Sequence, residues 1–553
     1  MKVKEMPNME SKLQNDEEGK TIKKAKIEIL KRKESKPNHI EILECYKNKE
    51  FIEKFRNVFC DSNFSENQKE IRAGVIEFPE KDITVDAIGT VIGYPFHVGV
   101  LSNVFDPKFL RKLKKELKEI QWHRRLNDLY DFYQTDDLGY MISGKYEKIK
   151  QLYHGLCSEE CITFMEQLTG TELQRGRIDL AAQQYEEGGF LLCHDDFVTG
   201  DKYSRKIAFI LYLVDETWSE RDGGALGLFS KDKDNCPVKV VRKISPKFNT
   251  LAFFLTGESS YHEVQEVLRN DGVARWSVTG WFYGINKKKT ENDPMACDEF
   301  NKKYQTLSIP RPIEATVSSE NDALYAAENF INERYLKKDV IEKVLDKFIE
   351  NSCIELHSFL KDDVYADFIS VMGGTEGVWS ENYVLPPNLR RYNALLEPEC
   401  YRKIAQKSKK TMETIAFLKS KHFSNYLSAI TGLEYSKAIY EFRKFDTGSY
   451  TLLHDHYSEP NGLDVIFSFM PFNSKDDSSG LSVATSVWDD DSWGGLTHYT
   501  DSVDELKRFS PGANKLVLVY RDTGVKKFVR YTTNAANCPR YEFNSIFIEA
   551  EDQ

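Results

Sequence analysis

The stretch "GGFLLCHDDF", residues 188–197, decides the fold of the chain, because a second version of it occurs later. That second version is "GSYTLLHDHY", residues 448–457. Each begins at a glycine turn, continues as a short apolar run and ends in consecutive ionisable residues. This pattern is typical of a sheet strand that ends at a polar site.

The runs that follow these two stretches repeat in the same order. The first half continues with "IAFILYLV", "GGALGLF", "NTLAFF" and "ARWSVTGWF", and the second with "LDVIFSFM", "GGLTHYT", "NKLVLVY" and "PRYEFNSIF". Short apolar or alternating runs between turn residues are typical of sandwiches, barrels and jelly rolls. We therefore predict a mainly β protein with flanking helices (α+β), built from two tandem double-stranded β-helix domains of the jelly-roll or cupin-like kind.

The composition divides the chain into four regions. They are a polar, Lys/Glu-rich and largely disordered region at 1–84, the first jelly roll at 85–285, a linker at 286–322 and the second jelly roll at 323–553. Within the first jelly roll, Asp106 followed by Pro107 predicts a helix start. Gly170 predicts the end of another helix.

Length and charge narrow the class of protein. A chain of 553 residues suits two or three domains, and its net charge of −11 gives no general affinity for nucleic acid. The basic run from Lys20 to Lys36 is most often a solvated tail, and an import signal or an RNA-contacting arm is the alternative. No apolar stretch predicts a secretory leader or a membrane span, and the ten cysteines form no CxxC pair. We expect a protein of the nucleus and cytoplasm with reduced thiols and no membrane partner.

Three residues of the first half form a candidate metal site. His194 and Asp196 are two apart, and on extended backbone such residues point to one side. His262 follows after about four strands, which in a jelly roll returns the chain beside its early strands. Two histidines and one carboxylate form the facial triad of non-haem Fe(II) oxygenases. A zinc hydrolase could use the same ligands, with Glu263 or Glu266 as general base, so this alternative stays open.

A candidate anion site follows from the strand "RWSVTGWF". Alternation puts Arg275, Ser277 and Thr279 on one face, and an inward arginine needs an anionic partner. A dicarboxylate cosubstrate would supply that partner and also chelate the metal, with Ser277 as a further donor. Tyr185 and Tyr212 could donate to the same ligand. A structural ion pair and ordinary core tyrosines are the alternatives.

The second half keeps the fold signals and loses this chemistry. The residues that correspond to the candidate site are His454, His456, Phe445, Val529 and Arg540. The carboxylate ligand, the distal histidine and the first tyrosine are thereby replaced. We predict that the second jelly roll is degenerate and not catalytic.

A family resemblance rests on several of these motifs. They are "LLCHDDF", "RKIAFILYLV", "DGGALGLFS", "YHEVQEV" and "RWSVTGWF" in the first half, with "GSYTLLHDHY" and "LVLVYRDTGVKKFV" in the second. Across residues 85–550 the chain resembles the 2-oxoglutarate- and iron-dependent oxygenases that act as prolyl 3-hydroxylases on a ribosomal protein in yeasts and animals.

The resemblance implies a set of ligands and partners. It implies Fe(2+) held by His194, Asp196 and His262, 2-oxoglutarate held by Arg275, Tyr185, Tyr212 and Ser277, O2 as cosubstrate and L-ascorbate as reductant. The implied substrate is a proline of the small-subunit ribosomal protein that lines the decoding centre, with an effect on translational accuracy or termination. Translation-termination or transcription-factor partners are also implied. A regulatory binding platform that needs no turnover is the alternative.

Overall fold

The structure is a computed structural model of the whole chain. It describes residues 39–61, 70–72, 75–77, 82–142, 144–198, 202–286, 311–313, 326–374, 377–380, 383, 385–396, 398–453, 460–470, 488, 492–501 and 504–550. The basic run at 20–36 and the pair His454 and His456 lie outside these residues.

The described chain is mainly β, as predicted. The α-helices are α1 Lys49–Phe59, α2 Pro107–Leu117, α3 Glu147–Leu156, α4 Glu159–Thr169, α5 Lys338–Asn351, α6 Asp362–Met372, α7 Glu399–Lys407, α8 Lys409–Lys419 and α9 Lys421–Thr431. The strands of the first half are β1 Glu70–Arg72, β2 Val75–Glu77, β3 Ile83–Val85, β4 Gly89–Ile92, β5 Val98–Ser102, β6 His123–Leu126, β7 Tyr130–Gln134, β8 Ile178–Tyr185, β9 Phe190–His194, β10 Tyr203–Tyr212, β11 Leu226–Lys231, β12 Pro237–Ile244, β13 Thr250–Leu255, β14 His262–Val264 and β15 Arg275–Ile285. Those of the second half are β16 Arg311–Pro312, β17 Cys353–His357, β18 Arg390–Arg391, β19 Asn393–Ala394, β20 Tyr435–Phe445, β21 Tyr450–Thr451, β22 Gly462–Phe469, β23 Thr497–Thr500, β24 Glu505–Phe509, β25 Lys515–Arg521, β26 Lys526–Val529 and β27 Arg540–Glu549.

The two halves share one strand order, which confirms the internal repeat. In the first half, β8, β15, β10, β13 and β5 are successive neighbours, and β12, β11 and β14 form a second group beside β9. In the second half the same places are taken by β20, β27, β22, β25 and β17, and by β24, β23 and β26. Each half is thus a jelly roll whose two groups of strands face each other across a core.

Two helix boundaries agree with the sequence. The side chain of Asp106 accepts a hydrogen bond from the backbone N–H of Lys108, with Pro107 in the first turn of α2. Gly170 ends α4 with a φ of 68°, a left-handed conformation that costs glycine little.

The predicted boundary at residue 84 needs correction. Helix α1 presents Phe51, Phe55 and Phe59 at a spacing of four residues, and all three are buried against the first jelly roll. Phe55 and Phe59 contact Phe253 of β13, with ring centroids 6.0 and 5.6 Å apart. These aromatic side chains bury enough apolar surface to order a segment that is otherwise rich in Lys and Glu.

The predicted linker at 286–322 also differs in part. Strand β16 lies within it and pairs with Ala438 and Lys437 of β20, so the second sheet begins before residue 322. The division of the rest of the chain into the predicted regions stays a prediction. None of the described helices is long and apolar enough to cross a lipid bilayer.

Candidate active site

Two histidines of the first half lie directly opposite each other. His194 ends β9, and His262 begins β14 as its antiparallel partner, with ring centroids 4.2 Å apart. Each Nδ1 lies within hydrogen-bond distance of a carbonyl, 2.7 Å from Leu192 O and 2.9 Å from Ser260 O. Because a carbonyl only accepts, each Nδ1 donates, so a metal would bind each imidazole through Nε2.

Asp196 completes the cluster in a way that strand alternation does not explain. Strand β9 ends at His194, and Asp196 has a φ of 59°, so the two are not successive same-side residues of one strand. This left-handed conformation is one that aspartate tolerates better than most residues. The carboxylate oxygens lie 3.5 Å from His194 Nε2 and 3.4 Å from His262 Nε2. A turn therefore brings the predicted triad together.

Two of the three groups, His194 and Asp196, have protonation states that suit a cation, and a metal would displace a proton from the third. Burial acts to lower the pKa of His262, but the hydrogen bond and charge of Asp196 raise it above its ordinary value. Burial, followed by the charge of His262, lowers the pKa of His194 to about 4, so its imidazole is neutral at physiological pH. Burial alone would raise the pKa of Asp196, but the hydrogen bond from His262 and the charge of both imidazoles hold it well below its usual range. The donor atoms of the three residues all lie within 4.8 Å of one another. One carboxylate and two imidazoles at this spacing fit a divalent transition metal.

The triad opens into a cavity of about 230 Å³ between the two groups of strands. Its wall is mostly apolar and includes Leu191, Phe254 and Val264. Such a wall excludes water and leaves room for small ligands beside the metal.

Arg275 lies in a second group of residues next to this cavity. Its cross-strand partner in β8 is Tyr185, and Ser277 faces Tyr212 of β10. The guanidinium carbon lies 5.0 Å from the centre of the Tyr185 ring and 5.2 Å from that of Tyr212. The structure therefore brings all four residues of the candidate anion site together. None of the four lines the cavity. Val264, which does line it, packs in the same apolar cluster as Tyr185.

The hydrogen bonding of Arg275 tests whether a ligand fits there. The side chain is fully buried, its Nε donates to Gly224 O at 2.7 Å and its Nη1 donates weakly to Ser277 Oγ at 3.4 Å. Among the described residues, no carboxylate pairs with it, and Arg275 Nη2 and Tyr212 Oη lack hydrogen bonds of normal geometry. An uncompensated buried cation is costly, so this group fits the carboxylate of a bound ligand.

Further residues of the cavity were missed at the level of sequence. Thr279 and Gln183 line the wall, and the Thr279 hydroxyl has no hydrogen-bond partner within the described chain. Alternation had placed Thr279 on the face of Arg275, whereas Gln183 was not singled out, although it lies two residues before Tyr185 in β8. Trp281 also lines the cavity, with the guanidinium of Arg205 stacked 3.8 Å above its ring. No local motif indicates that last pair.

In the second half, the arginine that corresponds to Arg275 has a carboxylate partner from the chain itself. Cross-strand pairing equates Arg540 with Arg275, since it faces Phe445 as Arg275 faces Tyr185. Glu542 then takes the place of Ser277, and it accepts hydrogen bonds from Arg540 and, at 2.7 Å, from Arg443. Burial acts to raise the pKa of Glu542, but the two guanidinium charges hold it below its usual value.

The metal position of the second half is likewise filled by an ion pair. Tyr499 pairs with Lys527 as Leu228 pairs with His262, so Lys527 takes the position of His262 in the second half. The sequence comparison had placed Val529 there. The Lys527 ammonium lies 3.1 Å from Asp464, a fully buried carboxylate. The described part of the second half thus has internal charges in place of a metal and an anion.

The zinc alternative required a general base in the cavity. Glu263 and Glu266 are buried, but neither lines the cavity. Glu263 accepts a hydrogen bond from Gln265, and Glu266 faces the second half of the chain. The geometry therefore does not support either residue as the base of a hydrolase.

Comparison with known proteins agrees with this geometry. The profile of the 2OG-Fe(II) oxygenase superfamily matches residues 180–283, and that described as oxoglutarate and iron-dependent oxygenase degradation C-term matches residues 322–552. Prolyl 3-hydroxylase OGFOD1 of Xenopus laevis is 30% identical over 79% of this chain and 83% of its own length. Prolyl 3,4-dihydroxylase OGFOD1 of Ostreococcus tauri is 26% identical over 81% and 94%.

Among solved structures, a prolyl-4-hydroxylase of Pseudomonas putida aligns with 34% of this chain and 93% of its own, at 22% identity and a TM-score of 0.27. The fold and the His-Asp-His cluster define the first half as that of a 2-oxoglutarate- and Fe(II)-dependent oxygenase. With the relationship to the Xenopus protein, the chain belongs to the prolyl 3-hydroxylase OGFOD1 family. The predicted enzyme class and family are confirmed.

Proposed function

We propose that the chain hydroxylates a proline of the small-subunit ribosomal protein that lines the decoding centre. Relatives from frog and mouse are named prolyl 3-hydroxylases, which supports a prolyl substrate. The observation that carries the proposal is the His194–Asp196–His262 cluster at the cavity, with the unpartnered guanidinium nitrogen of Arg275 behind the wall.

The residues of the first half divide into two binding groups. His194, Asp196 and His262 would hold Fe(II) through two imidazoles and one carboxylate. Arg275 holds the distal carboxylate of 2-oxoglutarate, with Ser277, Tyr212 and Tyr185 around it. When bound, iron and 2-oxoglutarate supply the oxidant from O2, with succinate and CO2 as by-products, and one oxygen atom enters the prolyl C–H bond.

The remaining cavity residues suit a peptide. Leu129, Leu191 and Phe254 form an apolar wall that fits a pyrrolidine ring. Trp281 lines the cavity and Arg205 stacks on its ring. The Trp281 Nε1–H and Arg205 Nε–H have no hydrogen-bond acceptor among the described residues, and a substrate carbonyl would supply one. Substrate binding here would align the proline with the metal and exclude water.

The wider setting of the enzyme follows from the same proposal. L-Ascorbate would keep the iron reduced, and the enzyme would work in the nucleus and cytoplasm. Hydroxylation at the decoding centre would affect translational accuracy or termination. Partners in translation termination or a transcription factor would then be regulated through the same chain.

Mass spectrometry of the ribosomal protein tests the proposal. Metal-stripped protein reloaded with Fe(II) would be incubated with 2-oxoglutarate, O2 and the recombinant ribosomal protein. We expect a gain of one oxygen atom on a single proline, with one succinate formed per hydroxylation. A second oxygen would instead match the dihydroxylase named in Ostreococcus tauri. Turnover of 2-oxoglutarate with an unmodified ribosomal protein would refute this substrate.

A further inference from the structure

We propose that Glu266 is a positioning residue through which the second half of the chain holds the iron-binding strands of the first. The proposal rests on the iron site proposed above, and it assigns a role to the second jelly roll. Glu266 lies four residues after His262, in the segment that continues β14. It does not line the cavity, so it would act through other residues.

The side chain of Glu266 is one of the polar contacts between the halves. The backbone N–H of Asn534 lies 2.9 Å from each carboxylate oxygen, and the Tyr531 hydroxyl lies 3.3 Å from Oε2. Glu266 is only 9% exposed. A buried carboxylate with two donors from another domain fixes its own backbone segment.

The backbone of the same segment joins both metal-bearing strands. The N–H of Val267 donates to Gly189 O at 3.0 Å, and the N–H of Gly188 donates to Val267 O at 2.8 Å. Gly188 and Gly189 lead directly into β9, which ends at His194. Residues around Glu266 therefore set the spacing of the two strands that carry the histidines.

A second path leads from Glu266 to the anion site. Its carbonyl accepts the Gly224 N–H at 3.0 Å, and the Gly224 carbonyl accepts Arg275 Nε at 2.7 Å. A side chain at Gly224 would collide with Arg275, since an added Cβ would lie 2.6 Å from Arg275 Cδ. One residue, Gly224, thus joins Glu266 to the guanidinium that would bind the cosubstrate.

The apolar part of the interface between the two halves lies on β9, the strand that ends at His194. Phe190 of β9 packs on Tyr531 with ring centroids 4.3 Å apart, and Leu192 lies in the same cluster with Tyr450 and Leu452. The second half therefore covers β9 while it holds Glu266. Loss of the Glu266 contacts would loosen both histidines and Arg275 without removing any ligand.

Anaerobic ligand titration of the full chain tests the proposal. Fe(II) would be titrated at saturating 2-oxoglutarate, and 2-oxoglutarate at saturating Fe(II), with the visible charge-transfer absorption as the signal. We expect Glu266→Ala to weaken both affinities roughly 10- to 100-fold, the range seen for residues that orient metal ligands. Tyr531→Phe, which keeps the ring on Phe190, should shift both in the same direction by less.

Arg530→Ala is the matched control. Arg530 is adjacent to Tyr531 and bridges the halves through Asp131 at 2.7 Å, on a strand that carries no ligand. We expect it to leave both affinities within about twofold of wild type, well under the tenfold that corresponds to 1.4 kcal/mol. Unchanged affinities in folded Tyr531→Phe and Glu266→Ala proteins, or an equal loss in Arg530→Ala, would overturn the proposal. A wild-type chain without the absorption would instead refute the iron site itself.

Discussion

His194 and His262 face each other across β9 and β14, and Asp196 closes the third side of the cluster from a left-handed turn. The arrangement requires two short strands to stay in register, because either histidine would turn to the other face after a slip of one residue. The active site depends on this pair.

Removal of the carboxylate should abolish iron binding by the first half. Asp196→Ala leaves two neutral imidazoles, which bind Fe(II) too weakly to retain it, so hydroxylation and 2-oxoglutarate turnover should both disappear. Circular dichroism would confirm the fold. The matched control is His454→Ala in the corresponding stretch of the second half, which should keep wild-type turnover. Substantial turnover by reloaded Asp196→Ala protein would contradict the ligand assignment.

Arg275→Lys should raise the KM for 2-oxoglutarate. Lysine keeps the charge but loses the planar fork that binds a carboxylate through two nitrogens. Hydrogen bonds to charged groups contribute about 1.5–3 kcal/mol each, so a KM increase of roughly tenfold or more is expected. Initial rates of succinate formation at varied 2-oxoglutarate would measure it. An unchanged KM would show that the distal carboxylate binds elsewhere.

Glu542→Ser should destabilise the second half without affecting the cosubstrate. Serine is the residue at the corresponding position of the first half, and the change removes the buried carboxylate that Arg540 and Arg443 share. Breaking a buried ion pair typically costs about 3–5 kcal/mol of unfolding free energy. Denaturant unfolding would measure the loss, and the KM for 2-oxoglutarate should stay at its wild-type value. A stability equal to wild type would contradict the role of Glu542 as an internal counter-ion.

The pH dependence of stability should change in Glu266→Gln. Burial raises the pKa of Glu266 to about 7, against the hydrogen bonds of Asn534 and Tyr531 and with a smaller contribution from Glu187. The folded state therefore keeps a proton that the unfolded chain releases near its ordinary pKa of about 4.3. The contribution of Glu266 to the unfolding free energy is therefore largest at low pH, and it falls as pH rises from about 5 to about 8.

Glutamine does not titrate, and the variant should lack this part of the slope. As pH rises through that window, wild type should lose up to about 3 kcal/mol more unfolding free energy than Glu266→Gln. Thermal or denaturant unfolding at both pH values measures it. Parallel pH profiles for the two proteins would show that Glu266 does not titrate in this range.

Much of the candidate site could be predicted because its residues sit on strongly patterned strands. Apolar runs mark the strands that carry His194, His262 and Arg275. Comparison with the second half, which keeps some of these residues and loses others, then singles them out. Lys527 could not be placed, because its position depends on the pairing of β26 with β23 and not on the spacing of residues. Asp196 was proposed as a ligand from strand alternation, whereas in the structure a left-handed turn places it beside the two histidines.

The fold was predictable for the same reason, and its exceptions are long-range. Helix α1 shows a visible spacing of Phe51, Phe55 and Phe59, but the surrounding Lys and Glu obscure it until a partner such as Phe253 is known. Glu266 gives no local signal, since its partner Asn534 is 268 residues away. Contacts between repeats of one fold are set by packing that the sequence pattern of either repeat does not contain.

The most direct test of the account is anaerobic addition of Fe(II) and 2-oxoglutarate to metal-stripped wild-type protein. We expect a visible charge-transfer absorption that saturates at one iron and one 2-oxoglutarate per chain. The second half should bind neither, because Lys527 stands there in the position of His262 and Glu542 in that of Ser277. The absorption should not form in His194→Ala protein. A folded wild-type chain that binds zinc at full occupancy and shows no such absorption would contradict the oxygenase site.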